Sequence, residues 1–151
     1  MEKEKSCGVI IFRKEKNKIL YLILYKKASE HYKESWDFCK GNIEPGESEK
    51  ETAIREALEE ASIKQLEFLP KFKEKIKFFY RKDKKLVMKE VVFLLAETKQ
   101  KKVKISFEHD AYKWCSYEEA IKLLTFKNSK EILTKAHNFL RQHSKQKTLF
   151  N

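Results

Sequence analysis

Glycine and proline are scarce in this chain, with 3 and 2 among 151 residues. No Gly-, Pro- or Ser-rich linker, internal repeat or low-complexity block interrupts it, so a single domain over residues 1–151 is expected. Cysteine is equally sparse. Cys7, Cys39 and Cys115 are odd in number and lack metal-type spacing, which argues against a disulfide framework or a cysteine-ligated zinc and for free thiols in a reducing compartment. No apolar run approaches the roughly 20 residues of a membrane span. The opening MEKEKSCG lacks the apolar segment of a signal peptide. A soluble cytoplasmic protein without membrane contact is therefore expected. Acidic residues are also in deficit, 23 against 34 Lys and Arg, for a net charge of +11. A polyanion would be welcomed, although lysines spread along the whole length also make an ordinary solvated exterior.

What is present argues for a folded core: 41% hydrophobic residues, including 11 Phe, 6 Tyr and 2 Trp. Residues 7–12 (CGVIIF) read as a first strand, and residues 18–25 (KILYLILY), apolar on both alternating faces, as a strand buried on two sides. Residues 14–17 are a polar turn between them, and residues 28–35 a polar loop. Residues 75–81 and 86–96 read as a hairpin around RKDKK, and residues 111–115 as a last short strand. Ser116 with Glu119, and Asn128 with Glu131, carry capping-box spacing ahead of two helices. In the second, Ile132, Leu133, Ala136, Phe139 and Leu140 hold helical spacing, while the polar tail after His143 is expected to fray. The fold class is α+β, an α/β/α sandwich with helices flanking a central sheet.

Residues 41–63, GNIEPGESEKETAIREALEEASI, hold the most ordered acidic spacing in the chain. Ser48 is a candidate N-cap with Glu51 three positions on, and the helix should run to about Ala61. At 100° per residue, Ala53, Ile54, Ala57, Leu58 and Ala61 form the expected buried stripe. Glu56, Glu59 and Glu60 share a different, exposed arc, with Arg55 in i,i+4 reach of Glu59. Like charges at that spacing cost only about 0.2–0.5 kcal/mol per pair, so a solvated acidic face remains open. Upstream, Lys40-Gly41 and Pro45-Gly46-Glu47 make a tight turn leading into the helix. A loop carbonyl with three carboxylates on one face is the kind of oxygen donor set that Mg²⁺ takes, together with phosphates and waters.

Gly41, five residues, Glu47, seven residues, Arg55-Glu56, two residues, Glu59-Glu60, then Ile63 resembles the Nudix box, a set of fixed gaps far more specific than a lone glycine motif. The expected glycine before the last aliphatic residue is Ser62, a departure that should cost around 1 kcal/mol at a left-handed helix end. The resemblance implies a Nudix α/β/α sandwich with a mixed β-sheet. It also implies an Arg55–Glu47 pair holding loop to helix, with Glu56, Glu59, Glu60 and the Gly41 carbonyl binding Mg²⁺ or Mn²⁺. SCGVIIF, SWDFCKGNIEPGE, SFEHDAYKW and TFKNSKEILTKAHNFL extend the likeness nearly end to end, to the asymmetric diadenosine tetraphosphate hydrolases. That subfamily splits its dinucleotide into ATP and AMP. By that likeness Lys40 and Lys89 would bind phosphate, Glu108 would be a metal ligand or base, and His109 would assist the phosphates. Phe78 or Tyr80, and Phe126, would stack adenine. Trp36 and Trp114 are assigned to packing or the pocket wall. Cys39 stands where proline usually precedes Lys-Gly, which leaves the approach to Lys40 less stiff.

The expected partner is a dinucleoside polyphosphate substrate, and the expected state a monomer. A Nudix enzyme on nucleoside triphosphates or a 5′-triphosphorylated RNA end is the alternative. A non-catalytic Nudix-fold module would be expected to lose box carboxylates that are all present here, and no single-strand-and-aromatic signature supports a purely nucleic-acid-binding protein.

Overall fold

The computed structural model describes residues 1–30 and 32–150, with side chains described through Ser144. Strand β1 (Glu2–Glu15) turns into β2 (Lys18–Lys26) through Lys16-Asn17, and β5 (Glu67–Lys82) into β6 (Lys85–Glu97) through Asp83-Lys84. Both residues of each turn have positive φ, 46° and 67° in the first and 49° and 66° in the second. Two such residues in succession match the right-handed twist of the strands they join. The short β3 (Ser35–Asp37), β4 (Cys39–Asn42) and β7 (Ala111–Cys115) complete a seven-stranded sheet. Its main order is β3-β2-β1-β6-β5, with β4 paired to β1 and β7 to β2. Among the described residues only β1 and β6 run parallel, so the sheet is mixed.

Alternation along the central strands divides the core in two. Ile10, Phe12, Tyr21, Ile23, Phe38, Val91, Phe93 and Leu95 face α2 (Tyr117–Leu123) and α3 (Lys127–Phe150), meeting Ala120, Ile132, Leu133 and Ala136. Cys7, Val9, Ile11, Leu22, Leu24 and Cys39 face α1 (Glu49–Ala61), meeting Ala53, Ala57 and Ala61. This is the expected α/β/α sandwich. Each strand of the doubly covered centre is apolar on both faces because each face is roofed by a helix. Among the described residues no helix is long and apolar enough to cross a membrane.

Several expectations need correcting. The first strand is longer than residues 7–12, because Glu2–Lys5 pair with Val87–Glu90 through the backbone despite polar side chains. Likewise β5 begins well before residue 75, with its register interrupted between Phe68 and Lys73 around Pro70, which can donate no ladder hydrogen bond. Strands β3 and β4, three and four residues long, are too short to leave a periodic signature. The Ser116–Glu119 capping box forms. The Asn128–Glu131 box does not. Helix α3 begins two residues earlier than that cap implies, at Lys127, with the Lys130 N–H donating to the Phe126 carbonyl. Its backbone stays helical past His143, where fraying was expected, and the side chains of Leu149 and Phe150 lie outside the described residues.

Candidate functional site

The loop before α1 is shaped by its own residues. Glu44-Pro45-Gly46-Glu47 closes through the Glu47 N–H donating to the Glu44 carbonyl at 3.0 Å, with Gly46 at φ 82°. Proline then glycine in that order is what a type II turn requires. Ser48 caps α1 in a complete capping box with Glu51. The turn delivers Glu47 beside Arg55, whose Nε and Nη2 donate to its two carboxylate oxygens at 2.7 and 3.0 Å. Thr52 Oγ1 and the Glu44 N–H also donate to Glu47. Held by this guanidinium, the Glu47 carboxyl falls to about 2. Arg55 further reaches Glu56 at 2.7 Å, Glu59 at 3.3 Å and the Asn42 carbonyl at 3.0 Å. A single planar fork thus joins the turn, strand β4 and three glutamates.

The helix is rotated from the expected orientation. Ile54 and Leu58 are 44% and 48% exposed, while Thr52 and Glu60 join the three alanines on the buried side. The expected exposed arc is therefore wrong for two of its members. Glu60 is only 7% exposed, and the Glu56 side chain only 13%. Glu59 alone stands in solvent. The physical reason is strand β4, which lies against α1. Lys40 N–H donates to Glu60 Oε1 at 3.0 Å, and a Cβ on Gly41 would fall 2.1 Å from Glu56 Oε1. Only glycine lets the Glu56 carboxylate lie against this backbone.

Burial, then the neighbouring Glu56 charge, pushes the Glu60 carboxyl up to about 8. Burial also raises Glu56, partly opposed by Arg55 and reinforced by Glu59 and Glu108. Glu108 itself is exposed, in the loop ahead of β7. That loop is fastened down by Ser106 N–H to the Glu60 carbonyl, Asp110 N–H to the Tyr25 carbonyl and Lys27 N–H to Asp110. His109, half-buried and lowered from its ordinary value chiefly by burial, has Nδ1 3.4 Å from Ser106 Oγ.

On the opposite face of β4 lies a different chemistry. Lys40 pairs with Gly8, on the side of α2 and α3, and its Nζ sits 3.0 Å from Asp37 Oδ2 and 5.7 Å from the Phe126 ring centroid. Lys89 shares that side, in register with Glu4 and Phe78. Burial lowers its ammonium from the ordinary value, and Lys40 adds to the effect. Phe126 is exposed. Phe78 packs partly buried against the core, and Tyr80 is tied through its hydroxyl to Glu4 at 2.7 Å. Trp36 lies beside Tyr25, and Trp114 under the Arg13 guanidinium. A separate groove of about 620 Å³, lined by Ser48, Glu49, Leu66, Phe68, Pro70 and Lys73 among others, contains none of the candidate residues.

The NUDIX domain profile matches residues 2–136. The chain belongs to the Nudix family. It is 36% identical over 146 residues to the asymmetrical bis(5′-nucleosyl)-tetraphosphatase of Mus musculus, covering 90% of this chain and 95% of the mouse protein. The Caenorhabditis elegans protein of the same name is 36% identical over 139 residues, covering 90% and 96%. The crystal structure of a C. elegans Ap4A hydrolase binary complex superposes with a TM-score of 0.77 at 35% identity, covering 92% of this chain and 98% of that one.

In this Nudix chain, Gly41, Glu47, Arg55, Glu56, Glu59 and Glu60 form one connected cluster, with Glu108 within electrostatic reach. Lys40, Lys89, Phe78 and Phe126 gather on the other side of the strand edge. Asp37, Asn42, Thr52 and Ser129 escaped notice in the sequence. Thr52 and Asn42 lie inside the box but at positions whose spacing carries no signal. Asp37 and Ser129 are far apart in sequence, and only packing brings them together at 2.8 Å.

Among the described residues, no three carboxylate, imidazole or thiol groups converge into a ready-made metal cage. Glu56 and Glu59 turn toward Arg55, and Glu60 toward the Lys40 N–H. A divalent cation nonetheless fits this chemistry. Two nearly buried carboxylates, Glu56 and Glu60, are crowded together with raised proton affinity, which a bound cation would relieve. Mg²⁺ in particular takes only one or two protein carboxylates and completes its shell with phosphates and waters.

Proposed function

We propose that the chain hydrolyses dinucleoside tetraphosphates asymmetrically, converting diadenosine tetraphosphate to ATP and AMP with Mg²⁺ as cofactor. The observation that carries this reading is the arrangement across β4. A carboxylate cluster lies against Gly41 on one face, and two lysines with an exposed aromatic lie on the other, a single residue away. A chain of phosphates with an adenosine at each end needs both. The names of the similar proteins support the same substrate.

In this mechanism Glu56, Glu59, Glu60 and the Gly41 carbonyl would between them hold Mg²⁺ ions, which when bound would neutralise phosphate charge and lower the pKa of water. Arg55 and Glu47 keep the loop, and so the Gly41 carbonyl, fixed against α1. Lys40 and Lys89 neutralise the phosphate chain from the opposite side. Phe126 offers a flat face to one adenine, and Phe78 or Tyr80 a wall for the second. A Glu56 carboxylate oxygen left free by the cation would receive the proton of the attacking water. Glu108 stands near enough to influence the same carboxylates, as a second acceptor or ligand. The broken P–O bond leaves its electron pair on a phosphate oxygen that is stable as an anion, so no acid is required.

Product analysis in ¹⁸O-water tests this directly. ATP plus AMP, with label in one product only, is the expected result, and two ADP would refute it. The +11 charge supports trying a 5′-triphosphorylated RNA and free nucleoside triphosphates in the same assay. Faster turnover of either would move the substrate assignment to that class.

A further inference from the structure

Lys40 stands at the junction of the two chemistries, and its neighbour Asp37 has no part in the reading above. Asp37 is buried, 8% exposed, at the end of β3. Its Oδ1 accepts from the Phe38 N–H at 2.9 Å and from Ser129 Oγ, on α3, at 2.8 Å. Ser129 is itself buried. Asp37 Oδ2 receives no well-directed hydrogen bond, yet the Lys40 ammonium stands 3.0 Å from it. A carboxylate oxygen shut away from water is strongly unfavourable to leave without the ammonium that stands beside it. The ammonium has three donors and can satisfy Asp37 while presenting others outward. At its other end the residue is fixed by its backbone N–H on Glu60, and the Phe126 ring lies beside the ammonium.

We propose that Asp37, anchored to α3 by Ser129, is the positioning residue that holds Lys40 in a phosphate-binding pose. The pair couples the first turn of α3, and with it Phe126 at the helix start, to the phosphate site. It acts on the side chain alone, since the backbone of Cys39 and Lys40 is already held by pairing with Val9 and Gly8. Lysine carries four rotatable bonds, and an unheld ammonium would spread over many rotamers. Preorganisation by a buried partner removes that cost before substrate arrives. Asp37 touches no substrate and acts through Lys40.

The inference rests on the reading of Lys40 as a phosphate ligand, and a double-mutant cycle on dinucleotide hydrolysis separates the two. Lys40→Ala, Asp37→Asn and their combination are compared for KM, kcat and Tm. Asparagine keeps an acceptor for Ser129 and removes the charge that holds the ammonium. Asp37→Asn should raise KM about tenfold with kcat little changed, and should have no further effect once Lys40 is alanine. Ser129→Ala, which leaves both charges in place, should raise KM by a smaller factor and serves if Asp37→Asn fails to fold. An unchanged KM in Asp37→Asn beside a raised KM in Lys40→Ala would overturn the positioning role and leave the phosphate role standing. Equal KM increases from Asp37→Asn with and without Lys40 would likewise overturn it. An unchanged KM in Lys40→Ala would overturn the phosphate role itself, and the proposal with it.

Discussion

Two adjacent residues of β4 face opposite worlds. Gly41 meets the α1 carboxylates, and Lys40 meets Asp37 and Phe126 on the side of α2 and α3. The α1 side is crowded with like charge, and there Glu56 and Glu60 are largely shut away from water and raised in proton affinity. The α3 side pairs its cation with a buried carboxylate and keeps its aromatic exposed. The crowded carboxylates of the first region would gain from a cation, whereas in the second the Lys40 ammonium already stands beside Asp37. Strand alternation produces this segregation with no loop or domain boundary between the halves. The division of labour expected from it is chemistry on one face and substrate hold on the other.

The largest test of that division is Glu56→Gln. It keeps the side-chain shape and an acceptor for Arg55, so folding should survive, while kcat falls by about three orders of magnitude and KM moves little. A kcat within a few-fold of the parent would remove Glu56 from the reaction. On the other face, Phe126→Ala should do the reverse. Loss of one stacked base corresponds to roughly 1–3 kcal/mol and should appear as a KM increase of about tenfold at nearly constant kcat. If kcat fell instead, the two faces would not be separable in this way.

A subtler comparison uses Glu60. Its carboxyl is shifted from 4.5 to about 8, so between those values the folded protein holds a proton that the unfolded chain releases. Stability is then fully present below pH 4.5 and declines as pH rises toward 8. In chelator, the Tm of the parent should fall relative to Glu60→Gln across that window. A gap that stays constant with pH would mean that Glu60 is ionised throughout. The smallest effect is expected at the end of α1. Ser62 sits at φ 56° and ψ 32°, where glycine would relieve about 1 kcal/mol. However, Ser62 Oγ donates to the Lys104 carbonyl at 3.0 Å, a bond worth about 1 kcal/mol. Ser62→Gly should therefore be nearly neutral and Ser62→Ala destabilising by about 1 kcal/mol, as chemical denaturation would measure, with activity unchanged in both.

Much of the first region was readable because its contacts are local. The Pro-Gly turn, the Ser48 cap and the Arg55–Glu59 spacing follow from backbone geometry over a few residues. The helix face was misread for the same reason. An amphipathic count puts Ile54 and Leu58 inwards, yet the sheet offers α1 a surface that accepts three alanines, Thr52 and Glu60. The close backbone of β4 leaves no room there for two large aliphatic side chains. The second region was legible only through family likeness, since Lys40, Lys89, Phe78 and Phe126 share no periodic pattern.

The sequence alone determined the tight turn ahead of α1, the start and length of α1 and the two-faced apolar strands, while the left-handed end at Ser62 followed from the family likeness. Each depends on residues within one or two turns of each other. Tertiary structure decided which glutamates lose their water, that Gly41 must lack a Cβ, and that Asp37 meets Ser129 across 92 positions of chain. Burial and long-range pairing belong to the packed sheet and not to any segment of it, because desolvation and contact exist only once both partners are in place.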